Sequence, residues 1–551
     1  MNVNLLYSYK EWTPVKPYHD WNGMVKDLGL SALFQAAGID SVTRASRTVY
    51  AEKEDTYLSF VMKRVSCVPL ETKEEITYRQ EVLQDCLRKE EFVGKLYRVT
   101  TKTIEDWEKL GRKRNSTGVR DTKAELITDL QVLRLLVSRV TEIRKMVLDQ
   151  AEGLTSRGFQ SLLERIEAEF SEEKLFQVEK ILGDLSFYTD VTVREPKRNV
   201  FYSYKPKIVL DCGLTDGLKL SDFRIESIET LEKPYSSPYG IKAKLQGQMN
   251  SIAPNVIALY KDQALQEDAA ELEFQTVSYV YDCLSEVANS LGHFFDQLRF
   301  QIGFYLGALN VKYQLQRYQL EYCFPQVGSQ DALSFEDLKE MVMSMEQKGK
   351  TVGNDGKLDG KGLVIITGAN QGGKSTFLRS IGIAQVMMQC GLMVVAKRYK
   401  SGLYPNFFTH FTRREDSAMN SGRLDEELRR MNQIVNNVGK NSLLLLNESF
   451  ATTTEKEGSG IAYDVIRALK EEGVRILTVT HLLSFAQRVY EEAGKRGNGE
   501  EQGTDWEGTA FLSAEHLADG TRTFKIISHA PEMTSFGLEL YDEVLGNPSL
   551  Q

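Results

Sequence analysis

Cysteine and histidine are scarce, six of each in 551 residues. The cysteines (Cys67, Cys86, Cys212, Cys283, Cys323, Cys390) form no C-x-x-C pair, so neither a zinc site nor a disulfide framework is encoded. An excess of positive charge is also missing. With 68 Lys and Arg against 77 Asp and Glu, the net charge of −9 excludes a uniformly basic polyanion binder, and any phosphate contact must come from local patches. No apolar run reaches the roughly 20 residues that span a bilayer. The longest weakly polar stretch, Ile381 to Ala396, is interrupted by Gln385, Gln389 and Gly391. The N-terminus meets Lys10 and Glu11 before any signal-peptide core, so a cytoplasmic chain with no membrane partner is expected. What is present, 42% hydrophobic and 26% charged residues, is ordinary for a globular chain of about three or four domains.

Only twelve prolines occur, and long helices are expected in the gaps between them. From Thr122 to Gln150 apolar residues recur at three- and four-residue steps (Leu126, Leu130, Leu133, Val137, Val140, Ile143, Val147), which predicts an amphipathic helix. Gln263 to Leu320 repeats the pattern without a proline and suggests a lever-like helix, although Gly292, Gly303 and Gly307 are possible breaks. Between them, residues 194–260 turn to β-branched runs with Gly, Pro and Tyr, the composition of a small β-containing insertion. Its leading edge interleaves Arg194, Lys197, Arg198, Lys205 and Lys207 with Phe201, Tyr202 and Tyr204, a pattern suited to nucleic-acid phosphates and bases. Lys109 to Arg114 reads as a solvated basic turn. The expected partition is therefore a helical part at 1–193, an insertion at 194–260, a returning helix at 261–325, and an α/β part at 326–551.

In that last part, short apolar runs alternate with helical segments, which predicts a parallel sheet covered by helices. Gly362-Leu-Val-Ile-Ile-Thr-Gly368-Ala369-Asn370-Gln371-Gly372-Gly373-Lys374-Ser375-Thr376 places G-x-x-x-x-G-K-[ST] between a strand and a helix, a P-loop. Glycines let backbone N–H groups turn toward phosphates, Lys374 reaches the β and γ phosphates, and Ser375 ligates Mg2+. ATP and Mg2+ are the cofactors expected. Ser442-Leu-Leu-Leu-Leu-Asn447-Glu448 supplies the apolar strand with an acidic end that a P-loop engine needs. Asn447 stands where an aspartate is usual and can still orient a metal-bound water through its carbonyl, while Glu448 is the expected base. A third strand, Arg475 to Thr480, ends at His481, placed to contact the γ-phosphate or the attacking water.

Together, TGANQGGKSTFLRSIG, FTRREDSAMNSGR, LLLLNESFATTTEKEG and TVTHLLSF resemble the MutS family of ABC-type ATPases. The resemblance is specific over roughly residues 350–490, with Asn354 in a loop similar to the family's nucleotide-base loop. It is weaker over 20–325, where helix length and order resemble the family's core, levers and clamp. It implies an α/β P-loop ABC-type ATPase domain with a parallel sheet core, preceded by a mainly α-helical core and lever domain. It further implies DNA held by backbone contacts with little sequence preference, and a homodimer in which Ser421 or Arg423 completes the partner's nucleotide site. Three departures stand out. The mismatch-reading domain with its Phe-x-Glu wedge is not expected, since Phe170-Ser-Glu172 reads as helix surface; Asn447 replaces aspartate; and Leu424 follows Arg423 where a serine is usual. The tail from Gly520 to Gly537 resembles the family's closing strand and helix, with no nuclease-like domain expected after it.

Other classes fit less well. An arm protein of the SMC or break-repair kind inserts its coiled coil between P-loop and acidic strand, whereas only 74 positions separate Lys374 from Glu448. A transporter or ribosome-acting ATPase would carry an LSGGQ-like signature, which 417–425 does not provide. A binding module in which Asn447 makes hydrolysis negligible remains an alternative that a turnover assay decides.

Overall fold

A computed structural model describes residues 3–8, 16–39, 56–114, 122–186, 193–194, 201–203, 207–214, 220–229, 235–236, 263–412, 423–494, 505–517 and 522–531. The chain divides into two compact units. One holds Met1–Val3, Lys95–Leu154 and Gln160–Phe300, the other Asn4–Gly94, Thr155–Phe159 and Gln301–Gln551.

Helices dominate the first unit. Thr122–Leu148 and Glu172–Ser186 pack together, and Arg134 donates to the Leu182 carbonyl at 3.1 Å. Gln263–Arg317 is one helix of 55 residues, unbroken at its glycines. Gly292 is a notch instead of a break: a Cβ there would sit 2.1 Å from the Trp107 ring, so the bare backbone admits the indole. Two sequence expectations are corrected. Phe170 is not helix surface; it joins Arg157–Glu169 to Glu172–Ser186, and its ring packs edge-on to Phe294 at 5.5 Å. Lys109 to Arg114 is not a turn; it ends the helix Glu90–Arg114, with Lys109 3.6 Å from Asp106 one turn back. Among the described residues, the stretch around the expected insertion holds five strands: β1 (Val193–Arg194), β2 (Phe201–Ser203), β3 (Lys207–Leu214), β4 (Leu220–Glu229) and β5 (Tyr235–Ser236). β3 and β4 form an antiparallel ribbon, and β1, β2 and β5 a small sheet.

The second unit carries two larger sheets. β6 (Gln326–Val327), β7 (Leu333–Leu338), β8 (Asn354–Lys357) and β10 (Arg398–Ser401) make one in the order β6-β10-β7-β8. The other joins β9 (Leu363–Thr367), β11 (Phe407–Phe411), β12 (Leu443–Asn447), β13 (Arg475–Val479), β14 (Thr509–His516) and β15 (Arg522–Ser528) in the order β11-β12-β13-β9-β14-β15. All neighbours are parallel except the last pair. LVIIT of β9 and RILTV of β13 are buried at every position, as both faces of a parallel sheet require. Leu363, Ile365, Leu444, Leu446 and Ile476 are buried in one core together with Tyr463 and Trp506. Ile381 to Ala396, the longest weakly polar run, is buried throughout, and its glutamines are bonded: Gln385 donates to the Gly402 carbonyl at 2.9 Å and Gln389 to that of Tyr404 at 3.0 Å. No helix among the described residues is long and apolar enough to cross a membrane.

Residues Asn4–Gly94 fold with Gln301–Gln551. Arg79, fully buried, explains the attachment: its guanidinium donates to the Leu6 carbonyl at 3.3 Å and the Cys390 carbonyl at 3.0 Å, and lies near the rings of Tyr7 and Phe304. A buried cation needs such partners, and only the tertiary fold provides them.

Candidate nucleotide site

Parallel register brings the carboxyl ends of three central strands to one edge of the large sheet, where ligands of open α/β sheets sit. β9 runs into the glycine turn, β12 into Asn447 and Glu448, and β13, between them, into Thr480 and His481. Two backbone bonds lock this edge: Glu448 N–H to the Val479 carbonyl at 2.8 Å, and Thr480 N–H to the Ile366 carbonyl at 3.1 Å. Gly368 has φ 109° and a Cβ there would meet Ser513 Oγ at 2.8 Å and Ala514 N at 2.9 Å, so this turn requires glycine. Gly373, φ 89°, precedes the helix Lys374–Gln389.

A cavity of about 370 Å³ opens at this helix start. Asn354, Asn370, Gln371, Gly372, Gly373, Lys374, Ser375, Thr376 and Glu448, all expected from sequence, line it. Gly368 and Ala369 act from beneath: their carbonyls accept from Lys374 Nζ at 2.8 and 2.7 Å. Lys374 is only 5% exposed, and burial lowers its pKa to about 8, against the pull of the Glu448 charge.

Glu448 and His481 are coupled, with His481 Nε2 3.1 Å from Glu448 Oε1. The His481 hydrogen bond holds the Glu448 carboxyl below its ordinary value, aided by the charges of His481 and Lys374 and opposed by burial. Glu448 is therefore a carboxylate at neutral pH. Its backbone has φ 56°, an uncommon region for a non-glycine residue, and Phe450 has φ 65°. Asn447 Oδ1 is buried and has no hydrogen-bond partner among the described residues. An orphaned carbonyl oxygen at this edge, with the Ser375 hydroxyl lining the cavity, fits a hard cation that takes one or two protein oxygens and completes its shell with phosphate and water. No cluster of three or more His, Cys, Asp or Glu suited to a metal occurs among the described residues.

Arg423 begins the helix Arg423–Val435, while Ser421 lies outside the described residues. Arg194 and Lys207 stand in β1 and β3; Lys197, Arg198 and Lys205 lie outside the described residues.

Sequence reasoning missed several lining residues, among them Glu340, Met343, Gln347, Lys350 and Phe524. Phe524 is an aromatic 47% exposed at φ 58° on the rim. Asn354 holds that rim in place: its Oδ1 accepts from Ile526 N–H at 2.7 Å and its Nδ2 donates to the Phe524 carbonyl at 3.4 Å. Arg522 donates to Gln371 Oε1 at 2.9 Å, tying β15 to the glycine turn. These contacts span more than 150 positions, and no local pattern encodes them.

A strand, a glycine turn closed on a buried lysine, a helix, and a carboxylate-ended strand two places away define a P-loop-type domain. Comparison with known families agrees. The model described as MutS domain V matches residues 364–500, and that described as MutS2 N-terminal domain matches residues 71–195. Over these two segments the chain is similar to MutS-family proteins. An "Endonuclease MutS2" of Pediococcus pentosaceus is 25% identical over 248 residues, 44% of this chain and 29% of that protein. A "DNA mismatch repair protein MutS" of Ruminiclostridium cellulolyticum is 36% identical over 166 residues, 29% of this chain and 19% of that protein, and one of Chlorobium phaeobacteroides is 32% identical over 170. The similarity spans less than a third of the length of these curated relatives.

Proposed function

We propose that this chain is an ATP-hydrolysing switch of the MutS type, acting on DNA. The observation that carries the reading is the convergence of Lys374, Ser375, Asn447, Glu448 and His481 on one sheet edge beside a cavity of about 370 Å³. Lys374 exchanges its two carbonyl partners for the β and γ phosphates, and the glycine-turn N–H groups cradle the rest. Bound Mg2+, held by Ser375 and Asn447, would neutralise phosphate charge. Glu448, ionised and oriented by His481, takes the proton of the attacking water. Phe524 offers an apolar face to the base.

Names of the relatives support DNA as the partner. Contacts through the basic residues near 194–207 would be to the backbone, so binding would weaken steeply with salt and discriminate little between sequences. A homodimer, with Ser421 or Arg423 reaching the partner's phosphates, completes the reading.

The test is Mg2+-dependent ATP hydrolysis by the purified chain, alone and with homoduplex, mismatched and four-way-junction DNA at two salt concentrations. Stimulation by DNA is expected. Hydrolysis that ignores all three DNAs would move the partner to another class, and no nucleotide binding at all would sink the site assignment.

A further inference from the structure

The loop that follows Glu448 is fastened at three points by residues that no P-loop motif includes. Thr412, at the end of β11, donates its hydroxyl to the Glu448 carbonyl at 2.7 Å. Ser449 Oγ donates to the His410 carbonyl at 3.0 Å and lies 2.7 Å from His410 Nδ1. Thr452 donates to Glu427 Oε2 at 2.6 Å, and Glu427 Oε1 lies 3.2 Å from the Thr412 hydroxyl. Glu427 belongs to the helix Arg423–Val435, is only 7% exposed, and stands one turn from Arg430. Arg430 donates to the Phe411 carbonyl at 2.9 Å and to Asp27 at 3.2 Å. The buried face of that helix is thus tied both to β11 and to the loop after Glu448.

Such a tether has a physical purpose here. Glu448 and Phe450 occupy the left-handed region, where a non-glycine backbone persists only if its surroundings hold it. The bond from the Thr452 hydroxyl to the buried Glu427 carboxylate is charge-assisted, stronger than a bond between neutral groups, and the Thr412 hydroxyl beside it is spent on the Glu448 carbonyl. We propose that Glu427, with Thr412 and Thr452, is a positioning bracket that holds the Glu448 backbone in its strained conformation and thereby sets the rate of the hydrolytic step. Glu427 sits in the helix Arg423–Val435, so the bracket ties that helix to the loop after Glu448. This inference rests on Glu448 being the base.

Thr452→Val removes the hydroxyl at nearly constant shape. Single-turnover hydrolysis is expected to slow about 10- to 100-fold, the scale of a slightly misplaced catalytic group, while nucleotide Kd stays close to the parent and Tm falls by a few degrees. Thr452→Ser should restore the rate, which a purely steric role would not predict. In a Glu448→Gln background, Thr452→Val should have no further effect, because the bracket acts through that side chain. An unchanged rate in Thr452→Val, or an equal further slowing in the Glu448→Gln background, overturns the bracket. Normal hydrolysis by Glu448→Gln itself overturns the base assignment and the bracket with it. Hydrogen–deuterium exchange over residues 447–454 needs no turnover: faster exchange is expected in Thr452→Val and recovery in Thr452→Ser, and unchanged protection refutes the bracket by itself.

Discussion

Nucleotide affinity should depend on pH through Lys374, and the size of the effect follows from its burial. In the free chain the ammonium is desolvated and its pKa sits at about 8 against an ordinary 10.5. Phosphate oxygens supply opposite charge and return the group to its ordinary range, so binding takes up a proton wherever the free chain has lost one. At pH 7 about nine in ten free chains carry the charge, and at pH 9 about one in ten. Affinity is therefore full below pH 8 and falls as pH rises through it, roughly tenfold between pH 7 and 9, or about 1.4 kcal/mol. Stability of the free chain moves the other way: between pH 8 and 10.5 the unfolded state binds the extra proton, so this group's contribution rises with pH. Titration calorimetry with a non-hydrolysable ATP analogue, in buffers of different ionisation enthalpy, measures Kd and proton uptake together. About half a proton per nucleotide is expected at pH 8. Lys374→Met serves as control, carrying any titration of the ligand itself but not the lysine's. A Kd equally flat for both chains from pH 7 to 9, with no proton uptake, would refute the argument that burial depresses Lys374 and that phosphate relieves it.

Glu448→Gln should retain nucleotide binding and lose hydrolysis by about 10²- to 10⁴-fold in a single-turnover assay, the range for removing a general base. In the parent chain the acid limb of kcat should lie below the ordinary glutamate value of 4.5, because the His481 contact favours the carboxylate; a midpoint above it would contradict the geometry. Asn447→Asp adds the charge that Asn447 lacks and should lower the Mg2+ concentration for half-maximal hydrolysis several-fold; an unchanged requirement would place the metal elsewhere. Arg475→Met should cost about 1 to 3 kcal/mol in urea unfolding, since Arg475 donates to the carbonyls of Ala332 (3.0 Å) and Leu358 (2.7 Å) and to Tyr404 Oη (2.9 Å), each of which keeps one other partner, in Gly402, Lys361 and Gln330. A loss below about 1 kcal/mol would mean that water replaces the guanidinium.

Wherever interactions are local in the chain, the sequence by itself determined the outcome. Gly368 to Thr376 specify a turn and a helix start within nine residues, because positive φ and free N–H groups are properties of adjacent backbone. The same holds for β9, β12 and β13, whose continuous apolar runs suit only strands buried on both faces, and for the 55-residue helix, read from its periodicity. Tertiary structure alone decided which distant residues meet those elements. Gly292 reads as a helix breaker until Trp107 is seen to fill its notch, and Phe170 as surface until it meets Phe294. Arg79 is one arginine among many until the fold buries it between Leu6 and Cys390. Phe524 lines the cavity at the glycine turn only because β15 closes the sheet, and Glu427 reaches Thr452 across 25 positions with no periodicity to announce it. Local pattern carries backbone conformation and which face is apolar; a contact between segments is decided by packing, which one sequence window does not contain.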